Sequence, residues 1–268
     1  MSELMLSSVS MLLGWNYAII WAMCGYPQII MNYHKKSTKG FSVDFGIMSV
    51  LGHFLYMLYV VTGYVYPKMG TGAVQINDVI YPFQLFMTTT ICMVQVFIYN
   101  KEEDIEYSKN TIKFCLFIVG IIAIMFSIEI VGGVVLPLAY NTIRIIGYCN
   151  TAILLVKYMP QAMLNYERKS TEGLSIPFFF MDFIGAIFSI SQQFIDMMIV
   201  VEVTGLWDNF TIFSPNFNLI KLFIGLLTVA FDLIIGFQHF VLYPSEEEEN
   251  KSLKERLMTS QTITTDFI

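Results

Sequence analysis

Long apolar runs separated by short polar stretches make up most of this chain. A helix that crosses a membrane needs about 20 mostly apolar residues. Seven runs reach that length, at residues 11–33, 43–64, 79–99, 112–131, 138–164, 175–200 and 218–242. Buried helices of a soluble protein would show apolar stripes beside charged faces instead. The pattern therefore predicts an all-α integral membrane protein with seven transmembrane helices.

A polar motif occurs twice in the chain, once in each half. Residues 27–42 and 160–175 share nine identities and lie 133 residues apart. The identical residues of the first copy are Pro27, Gln28, Asn32, Tyr33, Lys36, Ser37, Thr38, Gly40 and Ser42. An internal repeat of this kind indicates two equivalent structural units. Because spans 1 and 5 are four apart, the two units cross the membrane in the same direction.

The repeat predicts a 3+1+3 arrangement, in which two parallel three-helix bundles are joined by a connecting helix. The predicted parts are a first repeat at residues 1–110, connecting helix 4 at 111–135, a second repeat at 136–243 and a polar cytosolic tail at 244–268. Each repeat contains one copy of the motif. In such a pair a polar cavity lies near mid-membrane, between the bundles.

Basic residues are unevenly distributed between the two sides of the predicted bundle. Eleven follow spans 1, 3 and 5 or lie in the tail: Lys35, Lys36, Lys39, Lys101, Lys109, Lys113, Arg168, Lys169, Lys251, Lys254 and Arg256. Three lie on the opposite side: Lys68, Arg144 and Lys221. Cytosolic loops carry the excess of Lys and Arg, so we expect a lumenal N-terminus and a cytosolic C-terminus. The glycosylation sequon at Asn209 then faces the lumen.

Composition agrees with a membrane location and argues against nucleic-acid binding, a metal site and enzymatic activity. The chain is 56% hydrophobic and 13% charged, and its net charge of −6 argues against a nucleic-acid partner. The four cysteines lack the spacing of metal ligands. No phosphate-binding glycine loop or paired nucleophile and base is evident. We therefore expect no enzyme, cofactor or metal, but a small-molecule carrier in contact with lipid.

Each motif copy begins with a proline and a glutamine inside a span. A proline there removes a helical hydrogen bond and kinks the helix, and such a break survives in lipid only beside protein or a cavity. Pro27 and Pro160 are therefore hinge candidates for a cytosolic gate. Gln28 and Gln161 are expected to bond the loosened backbone. The alternative is a purely structural kink.

Charged side chains inside spans are costly and usually functional. Asp182 lies deep in span 6 among aromatic residues, where burial favours the neutral form of a carboxyl group, so it is the first candidate for a proton carrier. Its alternative is an ion pair with Lys157, which is itself a candidate for binding a substrate carboxylate. Asp232 has either a gating role or a role in a structural ion pair. Trp21 either packs in the core or forms part of a cavity wall.

Other polar residues are assigned simpler roles. Asp78 lies near a span start and is interpreted as a helix cap or an interfacial group. Lys221 lies near a span end, where a lysine reaches the interface. The lone histidines His53 and His239 are interpreted as packing residues.

The two motif copies resemble the paired PQ loops of the PQ-loop superfamily, and the wider pattern is similar to the cystinosin family. The resemblance covers about residues 14–243. It is carried by Tyr26-Pro-Gln28, Ser42–Phe45, Asn77–Val79, Val156–Tyr158 with Pro160–Ala162, Lys169–Gly173, Asp182-Phe183, Lys221, Phe231-Asp232 and Gln238–Phe240.

The resemblance implies a lysosomal or vacuolar exporter of cystine that is driven by protons. It implies that Asp182 is the coupling carboxylate, that Asp78 and Asp232 assist proton entry or gating, and that Lys221 belongs to the same network.

The candidate substrate positions are Trp21, Ser49, Asn150, Lys157, Gln161 and Phe178. The resemblance implies a substrate role at Ser49, Asn150 and Phe178. Three of them depart from the family. Asn150 stands where the family has a lysine, and Phe178 and Ser49 each stand where it has an asparagine. The expected function is a proton-coupled exporter of cystine or a related amino acid, acting by alternating access. The alternatives are an uncoupled sugar carrier and a pH-dependent seven-helix sorting receptor.

We predict that the C-terminal tail faces the cytosol. An epitope tag placed after Ile268 will be digested by protease added to intact organelles, because the tail lies on their outer surface. A tag inserted at Asn209 is the matched control and will be digested only after detergent opens the membrane. Protection of the C-terminal tag in intact organelles contradicts the orientation.

Overall fold

The structure is a computed structural model that describes residues 3–67, 74–100, 107–132, 141–207 and 217–244. Within these ranges every regular element is helical, as predicted. The helices are α1 (Glu3–Cys24), α2 (Tyr26–Lys35), α3 (Val43–Val65), α4 (Ile76–Tyr99), α5 (Lys109–Gly132), α6 (Thr142–Arg168), α7 (Ile176–Thr204) and α8 (Leu219–Phe237), which continues as the π-helical turn Gln238–Leu242. Lys68, Lys101, the sequon at Asn209 and the basic residues of the tail lie outside the described residues.

Six helical segments of the described residues are long and apolar enough to cross a membrane. They are Glu3–Lys35, which joins α1 and α2, and Val43–Val65, Ile76–Tyr99, Lys109–Val131, Ile176–Thr204 and Leu219–Leu242. The seventh predicted span is α6, whose 27 residues are sufficient in length. Composition alone misses α6 because it carries buried polar side chains, among them Asn150, Lys157 and Gln161. These face other helices rather than lipid, so α6 is the polar centre of the bundle.

The two repeats pack in the same internal order. In the first, α4 contacts both α1 and α3, and in the second, α8 contacts both α6 and α7. The third span of each repeat therefore lies between the first two. Between repeats, α1 packs on α7 and α3 packs on α6, and these pairs are equivalent under the repeat. The connecting helix α5 packs on α6 and α3.

The motif loops have the same backbone conformation in both repeats. Lys36 and Lys169 end α2 and α6 in the left-handed region, with φ of 49° and 50°. Gly40 and Gly173 follow with φ of 99° and 90°, values that only glycine adopts readily. The loops lie against each other, because a Cβ atom at Gly173 would lie 2.9 Å from the carbonyl carbon of Lys39. The repeat is thus preserved in backbone geometry as well as in sequence.

We predict that Gly173→Ala destabilises the protein by at least about 1 kcal/mol, because alanine disfavours a positive φ and its methyl group meets the Lys39 backbone. The measurement is thermal unfolding in detergent. Gly236→Ala is the matched control, since a Cβ there meets nothing within 4 Å and alanine favours the interior of α8. Equal unfolding temperatures for the two variants would refute the close approach of the loops.

Candidate functional site

Gln28, on α2, binds the motif loop of the other repeat. Its side-chain oxygen accepts a hydrogen bond of 2.9 Å from the backbone N–H of Ser175, and its side-chain nitrogen donates one of 3.2 Å to the carbonyl of Gly173. Ser175 is the residue that precedes α7. The first repeat therefore holds the start of the second helix of the second repeat.

Gln161, on α6, makes the reciprocal pair of bonds. It accepts from the backbone N–H of Ser42 at 2.9 Å and donates to the carbonyl of Gly40 at 2.9 Å. Ser42 also caps α3 by accepting from the N–H of Phe45 at 3.3 Å. The expectation that each glutamine bonds the backbone loosened by its own proline is wrong, because these bonds cross to the opposite repeat.

Each glutamine is oriented by a further pair of amide side chains. The chains are Gln28–Asn32–Gln95, with bonds of 2.8 and 3.0 Å, and Gln161–Asn165–Gln238, with bonds of 3.0 and 2.9 Å. All six side chains are buried. Buried amides stay in place only when their donors and acceptors are satisfied. We call these six side chains, together with the bonds of Gln28 and Gln161 to the opposite loops, the amide closure.

The two motif prolines occupy unequal backbone positions. Pro27 lies in the first turn of α2, directly after the break at Gly25 that separates α2 from α1. Pro160 lies inside α6, which continues to Arg168. A hinge at Pro27 thus already has a broken helix, whereas a hinge at Pro160 bends a continuous one.

The other end of the bundle is closed by a buried ion pair. The ammonium group of Lys221 donates to Asp78 at 2.7 Å, to the amide oxygen of Gln192 at 2.7 Å and to the hydroxyl of Tyr17 at 3.1 Å. The Lys221 and Asp78 side chains are 4% and 2% exposed. Lys221 does not reach the interface as expected, because its three donors are used by α4, α7 and α1. We call this set the charged closure.

The two closures lie at opposite ends of the same helices. On α4, Asp78 belongs to the charged closure and Gln95 to the amide closure. On α8, Lys221 at the start belongs to the charged closure, and Gln238 just after the end belongs to the amide closure. Both separations are 17 residues, which is about 25 Å of helix. The middle of the bundle therefore lies between two sealed layers.

A cavity occupies this middle region. Four of the predicted substrate residues line it, together with the predicted proton carrier: Trp21, Asn150, Lys157, Phe178 and Asp182. Ser49 lines a neighbouring cavity. Gln161 lines neither of these two cavities, because it is fully buried in the amide closure.

Asp182 and Lys157 both face the central cavity without forming an ion pair. Asp182 accepts a hydrogen bond of 2.8 Å from the hydroxyl of Tyr158, and its backbone carbonyl accepts one of 3.1 Å from the indole of Trp21. Lys157 is 6% exposed. Among the described residues no carboxylate lies within 4.0 Å of its ammonium group. The alternative of a tight pair between Lys157 and Asp182 is therefore wrong.

Asp232 lies apart from the charged closure. It follows Lys221 by 11 residues on α8, which is about 16 Å of helix. Asp182 and Lys157 are the charged groups that act on it electrostatically. In the described part of the chain neither of its carboxylate oxygens has a hydrogen-bond partner, and a carboxyl group without donors is best tolerated when neutral. The expected single network is thus divided: Asp78 belongs with Lys221, and Asp232 with Asp182.

Sequence reasoning missed several residues of these sites. Tyr17 and Gln192 complete the charged closure, and Tyr158 holds Asp182. His53, interpreted as a packing residue, lines both cavities. A signal was available for His53, since it lies one helical turn after Ser49 and therefore on the same face of α3.

A cavity with charged and aromatic side chains in its walls, between hydrogen-bonded layers at the two ends of a membrane-spanning repeat protein, is typical of a multi-pass membrane transporter. The family model of the PQ loop repeat matches residues 9–69 and 142–197.

Known relatives identify the family within that class. The chain is 32% identical to a cystinosin homolog of Dictyostelium discoideum, over 89% of this chain and 82% of that protein. It is 30% identical to a cystinosin homolog of Arabidopsis thaliana, over 90% and 88%. It is 28% identical to the cystinosin of Drosophila melanogaster, of which it spans 60%. The chain belongs to the cystinosin family.

We predict that Lys221→Met lowers the free energy of unfolding by about 3–5 kcal/mol, because it leaves the Asp78 carboxylate buried without its partner. The double variant Lys221→Met/Asp78→Asn will recover part of that loss. Thermal unfolding in detergent measures both.

The matched control is the exposed pair Lys35–Glu172, whose charged atoms are 3.9 Å apart and whose side chains are 48% and 80% exposed. Lys35→Met will change the free energy of unfolding by less than about 1 kcal/mol. A double variant no more stable than Lys221→Met would contradict the buried pairing.

Proposed function

We propose that this transporter exports cystine, or a closely related amino acid, together with protons from the lumen of a lysosome or vacuole to the cytosol. The observation that carries the proposal is the presence of Lys157 and Asp182 in one cavity, without an ion pair between them. An amino acid bears a carboxylate and an ammonium group, and so it complements both side chains. The names of the cystinosin relatives support cystine as the substrate.

The cavity walls supply the rest of the proposed substrate contacts. Trp21 and Phe178 offer apolar and aromatic surface beside the charged residues. Asn150 supplies a neutral hydrogen-bonding group where the cystinosin pattern has a lysine. Losing one charged contact to a carboxylate costs on the order of 1.5–3 kcal/mol, roughly ten- to hundredfold in affinity. We therefore expect cystine to bind more weakly here than in relatives that retain the lysine.

Proton coupling is assigned to Asp182, with Asp232 as its partner. Asp182 faces the substrate cavity, and its charge acts on the unpartnered carboxyl group of Asp232. One proton taken up from an acidic lumen by the Asp182–Asp232 pair leaves a single negative charge beside Lys157. The site that holds a zwitterionic amino acid is then neutral and crosses the occluded state at lower cost. Release follows when the cavity opens to the cytosol.

Alternating access is assigned to the two closures. Under the orientation expected from the basic residues, the charged closure is lumenal and the amide closure is cytosolic. Separation of Lys221 from Asp78 opens the charged closure toward the lumen. The amide closure opens when α2 and α6 bend near Pro27 and Pro160. In this scheme Asp78 and Lys221 act as a gate, not as the coupling site.

The test is transport of radiolabelled cystine into liposomes with and without a proton gradient. Wild-type protein will carry cystine with an inward proton current. Asp182→Asn mimics the protonated carboxyl group, so we expect it to abolish the current and the gradient-driven accumulation while cystine still exchanges across the membrane. Asp44→Asn is the matched control, because Asp44 lies outside the cavity and accepts from the backbone of Ser108.

Two results would contradict the proposal in different ways. Absence of cystine transport by wild-type protein would remove cystine as the substrate. A wild-type ratio of protons to cystine in Asp182→Asn would instead move the coupling site elsewhere, and Asp232→Asn would then be the next variant.

A further inference from the structure

His53 lies between the two cavities, where its side chain on α3 meets side chains of α4 and α6. It lies on α3, and its ring nitrogens face side chains of two other helices. Nδ1 is 3.0 Å from the hydroxyl of Thr89 on α4, and Nε2 is 3.5 Å from the ammonium nitrogen of Lys157 on α6. Both ring nitrogens therefore have polar neighbours, and one of these neighbours is the candidate substrate residue Lys157.

The hydrogen bonds around Thr89 decide which nitrogen of His53 carries the hydrogen. The Thr89 hydroxyl donates its single hydrogen to the backbone carbonyl of Leu85 at 2.7 Å. Its oxygen can then only accept from His53, so Nδ1 is the protonated nitrogen. Nε2 consequently presents a lone pair to Lys157. The alternative tautomer would place an N–H group opposite an ammonium group, donor against donor.

We propose that His53 is a positioning residue of the substrate site, which accepts a hydrogen bond from Lys157 and directs its ammonium group toward the α-carboxylate of the substrate. The inference rests on the proposed function, since it assigns an amino-acid carboxylate to Lys157.

Lys157 needs such an orienting group because its attractions to neighbouring aromatic rings are weaker than its attraction to a carboxylate. Its ammonium group lies 4.8 Å from the ring centre of Tyr158 and 5.8 Å from that of Phe45, which are weak attractions. Asp182 attracts it over a longer distance. Without an acceptor at His53, the Asp182 carboxylate draws the flexible lysine toward itself. The ion pair that results occupies the position that the substrate carboxylate requires.

The first experiment compares two replacements of His53 by transport of cystine in liposomes. His53→Phe keeps a ring but removes both nitrogens, and we expect it to raise KM about tenfold with a smaller change in the maximal rate. His53→Gln keeps an acceptor near the position of Nε2 and is expected to restore most of the affinity. A KM unchanged in His53→Phe would overturn the inference, as would an equal rise in both variants.

Thr89→Val is a second variant that leaves His53 in place. It removes the acceptor that fixes the tautomer, so KM will rise as in His53→Phe, though by less. Thr90→Val is its matched control, because Thr90 also donates to a backbone carbonyl one turn earlier, that of Phe86, at 2.7 Å. Equal KM values for the two threonine variants would contradict the role of the tautomer.

Nitrogen NMR of histidine-labelled protein in nanodiscs decides the inference even if cystine is not the substrate. The chain has three histidines, and His53→Phe assigns the signal. We expect an unprotonated Nε2 in the wild type and a larger fraction of protonated Nε2 in Thr89→Val. A protonated Nε2 in the wild type would overturn the positioning role while leaving the proposed transport function intact. If the spectrum is as expected but the protein does not transport cystine, only the proposal of cystine as the substrate is contradicted.

Discussion

The reciprocal hydrogen bonds of Gln28 and Gln161 are the interactions on which the arrangement of the repeats depends. Each side chain satisfies one N–H and one carbonyl group of the opposite repeat. A buried amide without a partner costs more than the bond contributes when made, so neither loop can move away alone. This requirement brings Gly40 and Gly173 together and fixes where α3 and α7 begin. The helices that line the cavity are positioned as a result.

The two closures seal the bundle with different chemistry. The crossed bonds of the amide closure join neutral side chains to backbone groups, so their strength does not depend on protonation. The charged closure depends on a lysine and a carboxylate, and removal of either charge leaves the other uncompensated. The two ends therefore resist opening for different reasons: one through the attraction of opposite charges, the other through hydrogen bonds between neutral groups.

Sequence predicted the fold well because its signals are local and repeated. Span lengths, the repeat and the glycines of the motif loops are all properties of short segments. The depth of Asp182 and Lys157 in their spans likewise indicated the cavity that they share. Partners across helices were not predictable, because apolar runs do not specify which faces meet. Lys221 was placed at an interface for that reason, and His53 was assigned to packing although its neighbours Thr89 and Lys157 come from distant segments.

The equal spacing of the closures along α4 and α8 has a mechanical consequence. Each helix holds one contact of the charged closure and one of the amide closure, 17 residues apart. A stiff rod that tilts about its midpoint moves its two ends in opposite directions. In the proposed cycle α8 is therefore a lever whose fulcrum lies beside the cavity, and a tilt that separates the contacts at one end presses those at the other end together. Pro82 lies between the two contacts of α4 and lets that helix bend, so the stiffness of α8 is what opposes simultaneous leakage through both ends.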